Sequence, residues 1–203
     1  MGITIDGNEI DECTIDGEEV QEITIDGTVA WVAYTPYVYS SSLNNQVHKI
    51  NPDGNNVWTY TGHENGVWGV AVDKDGYVYS ASWGNEVHKI SPDGNNVWTY
   101  TGHSSPVNAV AVDKDGNVYS GADDNEVHKI DSNGNNVWIY TEHSANINAL
   151  AVDKDGNVYS GSFNNYVHKI SSNGNNIWEY TGHEDSVWGV AVEPGTVGAG
   201  FWD

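Results

Sequence analysis

From residue 37 a unit of 40 residues recurs four times, each unit divides into four short strands at turn residues, and unpaired strand patterns remain at both chain ends. Together these features predict an all-β fold. The architecture expected is a five-bladed β-propeller of four-stranded antiparallel blades, the last blade closed by N-terminal strands.

The units span 37–76, 77–116, 117–156 and 157–196. Val-His-Lys-Ile recurs at 47–50, 87–90, 127–130 and 167–170, and a Val/Ile-Trp pair ends at Trp58, Trp98, Trp138 and Trp178. In the second blade the strands read as 67–73, 77–83, 86–91 and 97–101. Asp-Lys-Asp-Gly at 73–76, 113–116 and 153–156 marks tight hairpins, because Asp-Gly and Asn-Gly favour positive φ. The first-strand pattern of Val67–Asp73 is seen at 29–35, 67–73, 107–113, 147–153 and 187–193. A fifth second-strand pattern ends the chain at 197–203, so the repeat stops halfway through a fifth blade.

Residues 1–28 supply the missing half. Ile3-Thr-Ile-Asp-Gly7, Cys13-Thr-Ile-Asp-Gly17 and Ile23-Thr-Ile-Asp-Gly27 read as strands at about 3–5, 9–15 and 19–25 joined by Asp-Gly hairpins. A lone blade cannot bury both faces and an open ring leaves a bare edge, so strands 9–15 and 19–25 are expected beside 187–202. The blades are then about 29–61, 67–101, 107–141, 147–181 and 187–203 plus 9–25, making 29–203 the propeller. Two alternatives stay open. Glu19-Val-Gln-Glu-Ile23 also matches the third strand Glu86-Val-His-Lys-Ile90, and residues 1–28 could be a separate hairpin module beside a broken ring.

Composition narrows the function. The chain has 29 acidic residues against seven Lys and no Arg, a net charge of −22. Such a surface repels phosphate backbones and anionic bilayers, so neither nucleic acid nor a membrane is an expected partner. The balance suits molar salt, where the Debye length shrinks to about 3 Å and carboxylates keep the surface hydrated. Cys13 is the only cysteine. No signal peptide is visible and no run is long and apolar enough to span a bilayer as a helix, so a soluble protein is expected, in a virion or otherwise cytoplasmic.

The units resemble two propeller families. Gly62-His63, Gly102-His103 and Gly182-His183 look like the signature of tryptophan–aspartate repeats, whereas the third unit has Glu142-His143. That family's Asp falls at Asn44, Gly84, Asp124 and Asn164, so one copy keeps it. The stretch Gly156-Asn-Val-Tyr-Ser-Gly-Ser, with His168-Lys-Ile and Asn173-Gly-Asn-Asn-Ile-Trp178, is similar to a quinoprotein-type repeat. Both resemblances imply a propeller over 29–203, and neither implies an enzyme. The Ile-Thr-Ile-Asp-Gly series followed by Val29-Ala-Trp31 resembles openings of structural proteins of tailed viruses, including those of haloarchaea.

No catalytic site, metal site or cofactor is expected. His48, His88, His128 and His168 lie in third strands, and His63, His103, His143 and His183 in the loops before first strands. Each set repeats with the blades, too widely spaced for its members to share one ion, so structural bonds are expected. The Asp-Lys-Asp-Gly turns lack the further ligands of a calcium loop. Asp123-Asp124 is expected to be a solvated acidic turn.

Binding residues are sought where the repeats differ. First–second and third–fourth turns are nearly uniform and should share one face; second–third turns and blade-to-blade loops vary and should share the other. The variable face holds Leu43, Trp83, Asp123, Phe163 and Trp202, and the alternating position Trp68, Asn108, Asn148 and Trp188. It also holds Glu64, Asn65, Ser104, Ser105, Asn146, Glu184 and Asp185. Aromatic faces beside amides and carboxylates suit sugar rings or a protein interface. The uniform turns could instead form one identical sugar site per blade. Three roles follow: a virion head or tail protein contacting host surface or other virion proteins, compatible with a homo-oligomer in the particle; a glycan-binding propeller; and an intracellular interaction scaffold.

Overall fold

The computed structural model describes residues 36–193 and the backbone of four short strands between residues 3 and 19. Among the described residues the first blade has three strands, β5 (Val38–Ser42), β6 (Gln46–Ile50) and β7 (Asn56–Tyr60). Three complete blades follow: β8 (Val67–Val72), β9 (Val78–Ser82), β10 (Glu86–Ile90) and β11 (Asn96–Tyr100); β12 (Val107–Val112), β13 (Val118–Ala122), β14 (Val127–Ile130) and β15 (Asn136–Tyr140); β16 (Ile147–Val152), β17 (Val158–Ser162), β18 (Val167–Ile170) and β19 (Asn176–Tyr180). Every blade is an antiparallel meander in chain order, and no helix is present among the described residues.

Local sequence explains the strands. Val78-Tyr-Ser-Ala-Ser82 is β-prone and buried on both faces between neighbouring sheets. Asn45, Asn85, Asn125 and Asn165 take φ of 66–74° in the second–third turns, a left-handed conformation Asn tolerates. The Asp73 carboxylate closes the first–second turn: Oδ1 accepts from the N–H groups of Asp75 and Tyr77, and Oδ2 from the Tyr79 hydroxyl. That carboxylate is occupied by hairpin donors, as a turn residue's would be.

The core lies between blades. Tyr79, Val87 and Tyr100 of the second blade pack with Val107, Val118 and Ile130 of the third. Tyr119, Val127 and Tyr140 pack in the same way with Ile147, Val158 and Ile170, and Val47 and Tyr60 with Val67, Val78 and Ile90. First strands of adjacent blades lie side by side, β8 by β12 and β12 by β16, and the second strand β5 lies beside β8.

Four blades, rather than the expected five, are formed among the described residues. Residues 187–193 pack on the fourth blade, with Val187 N–H donating to Ser162 O at 3.1 Å, but they carry no strand ladder among the described residues. The strand expected to pair with them, 197–203, lies outside the described residues. The N-terminal strands also differ from expectation. β1 (Ile3–Ile5) pairs with β2 (Asn8–Ile10), and β3 (Thr14–Ile15) with β4 (Glu18–Glu19), in two small sheets joined to no blade among the described residues. The two-residue spacing Ile5↔Asn8 and Ile15↔Glu18 satisfies each hairpin locally. The expected strands at 19–25 and 29–35 fall mostly or wholly outside the described residues.

Candidate functional site

The second–third turns are tied to the loops that precede first strands. Trp83 N–H donates to Gly66 O, Asp123 N–H to Pro106 O and Phe163 N–H to Asn146 O, each at 2.9 Å. These bonds place Leu43, Trp83, Asp123 and Phe163 on the same face as Trp68, Asn108, Asn148 and Trp188. The first–second and third–fourth turns meet on the opposite face, where a Cβ on Gly76 would lie 3.6 Å from Pro92.

The variable face has three parts. Trp68 and Trp83 stack nearly parallel, centroids 4.9 Å apart at 18°, and both are about half exposed. Asp123 Oδ1 accepts from Asn108 Nδ2 and from Asn146 Nδ2, both at 2.7 Å. Phe163 meets Trp188 edge-on at 6.0 Å, both exposed. Asn108 and Asn148 also bridge blades: their amides donate to Ile147 O at 3.1 Å and Val187 O at 3.3 Å. Leu43 is exposed and lies against Gly66. Trp202 lies outside the described residues. Of the loop residues, Glu64 O accepts from Asn45 and Ser104 N–H donates to Asp124. Glu184 and Asp185 are exposed.

Asp123-Asp124 is not a solvated turn. The Asp124 side chain is 6% exposed and accepts from His103 Nδ1 at 2.9 Å and Ser104 N–H at 3.0 Å. Burial pushes its pKa up, but the His103 bond and charge and the Ser104 and Glu126 N–H groups outweigh it and hold the carboxyl below its ordinary range.

The histidine sets, considered separately in the sequence, meet inside each blade. His63 stacks on His88 at 3.9 Å, His103 on His128 at 3.7 Å and His143 on His168 at 3.8 Å. The loop histidines reach second-strand serines, Nε2 to Oγ: His63–Ser80 at 2.7 Å, His103–Ser120 at 2.8 Å and His143–Ser160 at 2.6 Å. The strand histidines reach the preceding blade: Tyr60, Tyr100 and Tyr140 hydroxyls lie 2.7, 2.7 and 2.6 Å from Nδ1 of His88, His128 and His168. Burial first, then the neighbouring histidine, lowers His63 and His143 to about 3. Burial also lowers His88, His128 and His168.

Two of these groups, His63–Glu86–His88 and His103–Asp124–His128, bring potential metal ligands within 4.8 Å. Stacked rings aim their lone pairs along parallel planes, whereas an ion at about 2 Å needs them to converge. The ring nitrogens of the second group are all engaged, by Ser120, Asp124, Tyr100 and Glu126; in the first, Ser80, Tyr60 and Glu86 take three and His63 Nδ1 has no partner among the described residues. The arrangement suits a buried hydrogen-bonded network that ties loop to strand and blade to blade. A second inter-blade tie was not anticipated either: Trp58, Trp98 and Trp138 donate Nε1–H to Pro92 O, Ser132 O and Ser172 O at 2.8, 3.1 and 3.0 Å. Its signal was present as a Trp and a Gly-bearing turn at constant offset in every unit.

A family model described as outer membrane protein assembly factor BamB matches residues 43–188. The chain belongs to this family. The match covers the blades that carry these Tyr–His and Trp–carbonyl ties, and it agrees with the quinoprotein-type resemblance of the repeats. In this BamB-family chain the His–Ser bond of the loop histidine recurs in three blades, while its Asp partner, Asp124, is kept in one. No curated protein matches the chain.

Proposed function

We propose that this BamB-family propeller is a non-enzymatic binding and structural protein that presents its variable face to one asymmetric partner. The observation that carries the proposal is the concentration of blade-to-blade differences on one face, where two exposed aromatic pairs flank the Asn108–Asp123–Asn146 cluster. Aromatic anchors around a fixed polar centre are the usual makings of a recognition surface. The acidic balance and the Ile-Thr-Ile-Asp-Gly series favour a virion part that faces host surface or other virion proteins. The family's description as an assembly factor is in keeping with a role in protein contacts.

The test is capture of partners from virions and host envelopes by the full chain and by Trp68→Ala/Trp188→Ala. Both residues are exposed, so the variant should keep its fold and lose the partner by at least about tenfold. Equal capture by both chains removes this face from the function. The flat Trp68–Trp83 stack beside amides favours a second reading, a glycan laid on the indoles. A glycan array in high salt separates the two.

A further inference from the structure

All seven lysines belong to the face of uniform turns. Lys74, Lys114 and Lys154 stand in first–second turns, and Lys49, Lys89, Lys129 and Lys169 where third strands run into third–fourth turns. Three of them, Lys114, Lys129 and Lys154, wall one cavity of about 350 Å³ between the third and fourth blades. Sites for small molecules span about 300–1,000 Å³.

One position decides whether the notch between two blades is filled. In the second blade Tyr77 follows the first–second turn and packs on the core. Lys89 Nζ lies 4.4 Å from its ring centroid and 5.4 Å from that of Tyr79, and Lys89 is 9% exposed. Tyr37 and Lys49 repeat this contact at 4.2 Å in the first blade. The third blade has Asn117 there, on an unchanged turn: its N–H donates to Asp113 Oδ1 at 2.9 Å, as that of Tyr77 does to Asp73 Oδ1. Lys129 keeps only the Tyr119 ring, at 5.4 Å, and Asn117 lines the cavity. Asn157 and Lys169 repeat the exchange in the fourth blade, where the following hairpin lies largely outside the described residues.

The cavity is polar and close to neutral. Its three ammoniums are balanced by the carboxylates of Asp113, Asp115 and Asp155. Lys114 pairs with Asp115 and Lys154 with Asp155, both at 2.9 Å. Lys129 stands apart: it donates to Ser172 O at 3.3 Å, and no carboxylate pairs with it among the described residues. An ammonium has three donors, so Lys129 has donors to spare. Asn117 spends Nδ2 on Asp113, which leaves Oδ1 as an acceptor.

These walls select by charge and polarity. Apolar ligands lose water without gaining contacts. A free anion meets a chain of charge −22, and a cation meets three ammoniums. A hydroxyl can accept from an ammonium and donate to a carboxylate or amide oxygen at once. We propose that this notch binds a neutral sugar, with Lys129 and Asn117 as its inner contacts and Asp155 at its rim. The site is separate from the variable face, and Tyr37 and Tyr77 keep it from recurring in the first two blades.

The experiment is backbone amide NMR of the full chain titrated with the methyl glycosides of glucose, galactose and mannose. Signals of Asn117, Gly156 and Ser172 should shift with at least one of them. Asn117→Tyr should abolish the shifts and keep the fold, because the second blade already holds a tyrosine on the same turn. Lys129→Gln should weaken binding at least about tenfold. Tyr77→Asn should open a second notch, so that Gly116 and Ser132 respond as well. Trp68→Ala/Trp188→Ala should leave every one of these shifts in place. Trisaccharides of the same sugars that bind at least about tenfold tighter assign the notch to a glycan chain, and equal affinity assigns it to a free or terminal sugar. The proposal is overturned by absence of shifts with all these probes, by shifts that persist in Asn117→Tyr or stay on the variable face, by a silent second notch in Tyr77→Asn, or by tighter binding of glucuronate than of the neutral glycosides.

Discussion

Replacing Tyr100 by Phe tests whether the blades are held together by their buried polar ties. Tyr100 is 8% exposed, and its hydroxyl lies 2.7 Å from Nδ1 of His128, which is fully buried. His128 Nε2 lies 2.8 Å from the Glu126 carboxylate and donates to it, so in the neutral ring Nδ1 accepts and the phenol donates. Phenylalanine keeps the ring packing and removes this donor. The orphaned nitrogen costs about 1–3 kcal/mol. The hydroxyl's second partner, Asn136, is exposed and turns to water, so it adds little. For a chain of this size about 2 kcal/mol lowers Tm by roughly 4–8 °C. Thermal and urea unfolding, followed by circular dichroism at fixed salt, should show this loss, while Lys114→Gln on an exposed turn stays within about 0.5 kcal/mol. Adding His128→Leu to Tyr100→Phe should recover part of the loss, since both polar partners are then gone. If Tyr100→Phe matches the parent within about 0.5 kcal/mol, the ties are incidental and blade packing alone holds the array.

Stability should depend on pH through the histidine pairs. His63 and His143 fall from 6.5 to about 3, and His88, His128 and His168 are also lowered, so the unfolded chain binds more protons. Stability is therefore intact above about pH 6.5 and falls as pH drops toward about 3; urea midpoints across that window should show it, with a shallower slope in His143→Gln. Gly84→Asp should give His63 the carboxylate that Asp124 gives His103, adding about 0.5–1.5 kcal/mol and raising the His63 pKa by NMR titration. Gly134→Ala should cost more than Gly116→Ala in thermal melts. Both have positive φ, 90° and 78°, so each bears a penalty of about 1–2 kcal/mol, but only at Gly134 would the added Cβ press on Trp98, 3.1 Å away.

What could be read in the sequence was local. The second-blade strands expected at 67–73, 77–83, 86–91 and 97–101 are found at Val67–Val72, Val78–Ser82, Glu86–Ile90 and Asn96–Tyr100. Alternation and Asp-Gly or Asn turns act within a few residues, so they are visible in one unit and reinforced by its copies. The division of loops between two faces follows from strand count alone, and the bonds Trp83–Gly66 and Phe163–Asn146 conform to it.

The tertiary structure decided what meets across blades. Tyr60 finds His88 across 28 residues and Trp58 finds Pro92 across 34, offsets that no period-2 pattern reveals because they join the outer strand of one sheet to the next sheet's third-strand hairpin. The same distance hid the stacking of loop and strand histidines, and the burial of Asp124, which composition placed in water. Blade number was likewise beyond local reading. Blades pack on one another through residues such as Tyr100 and Val118, contacts between sheets that no single unit reveals.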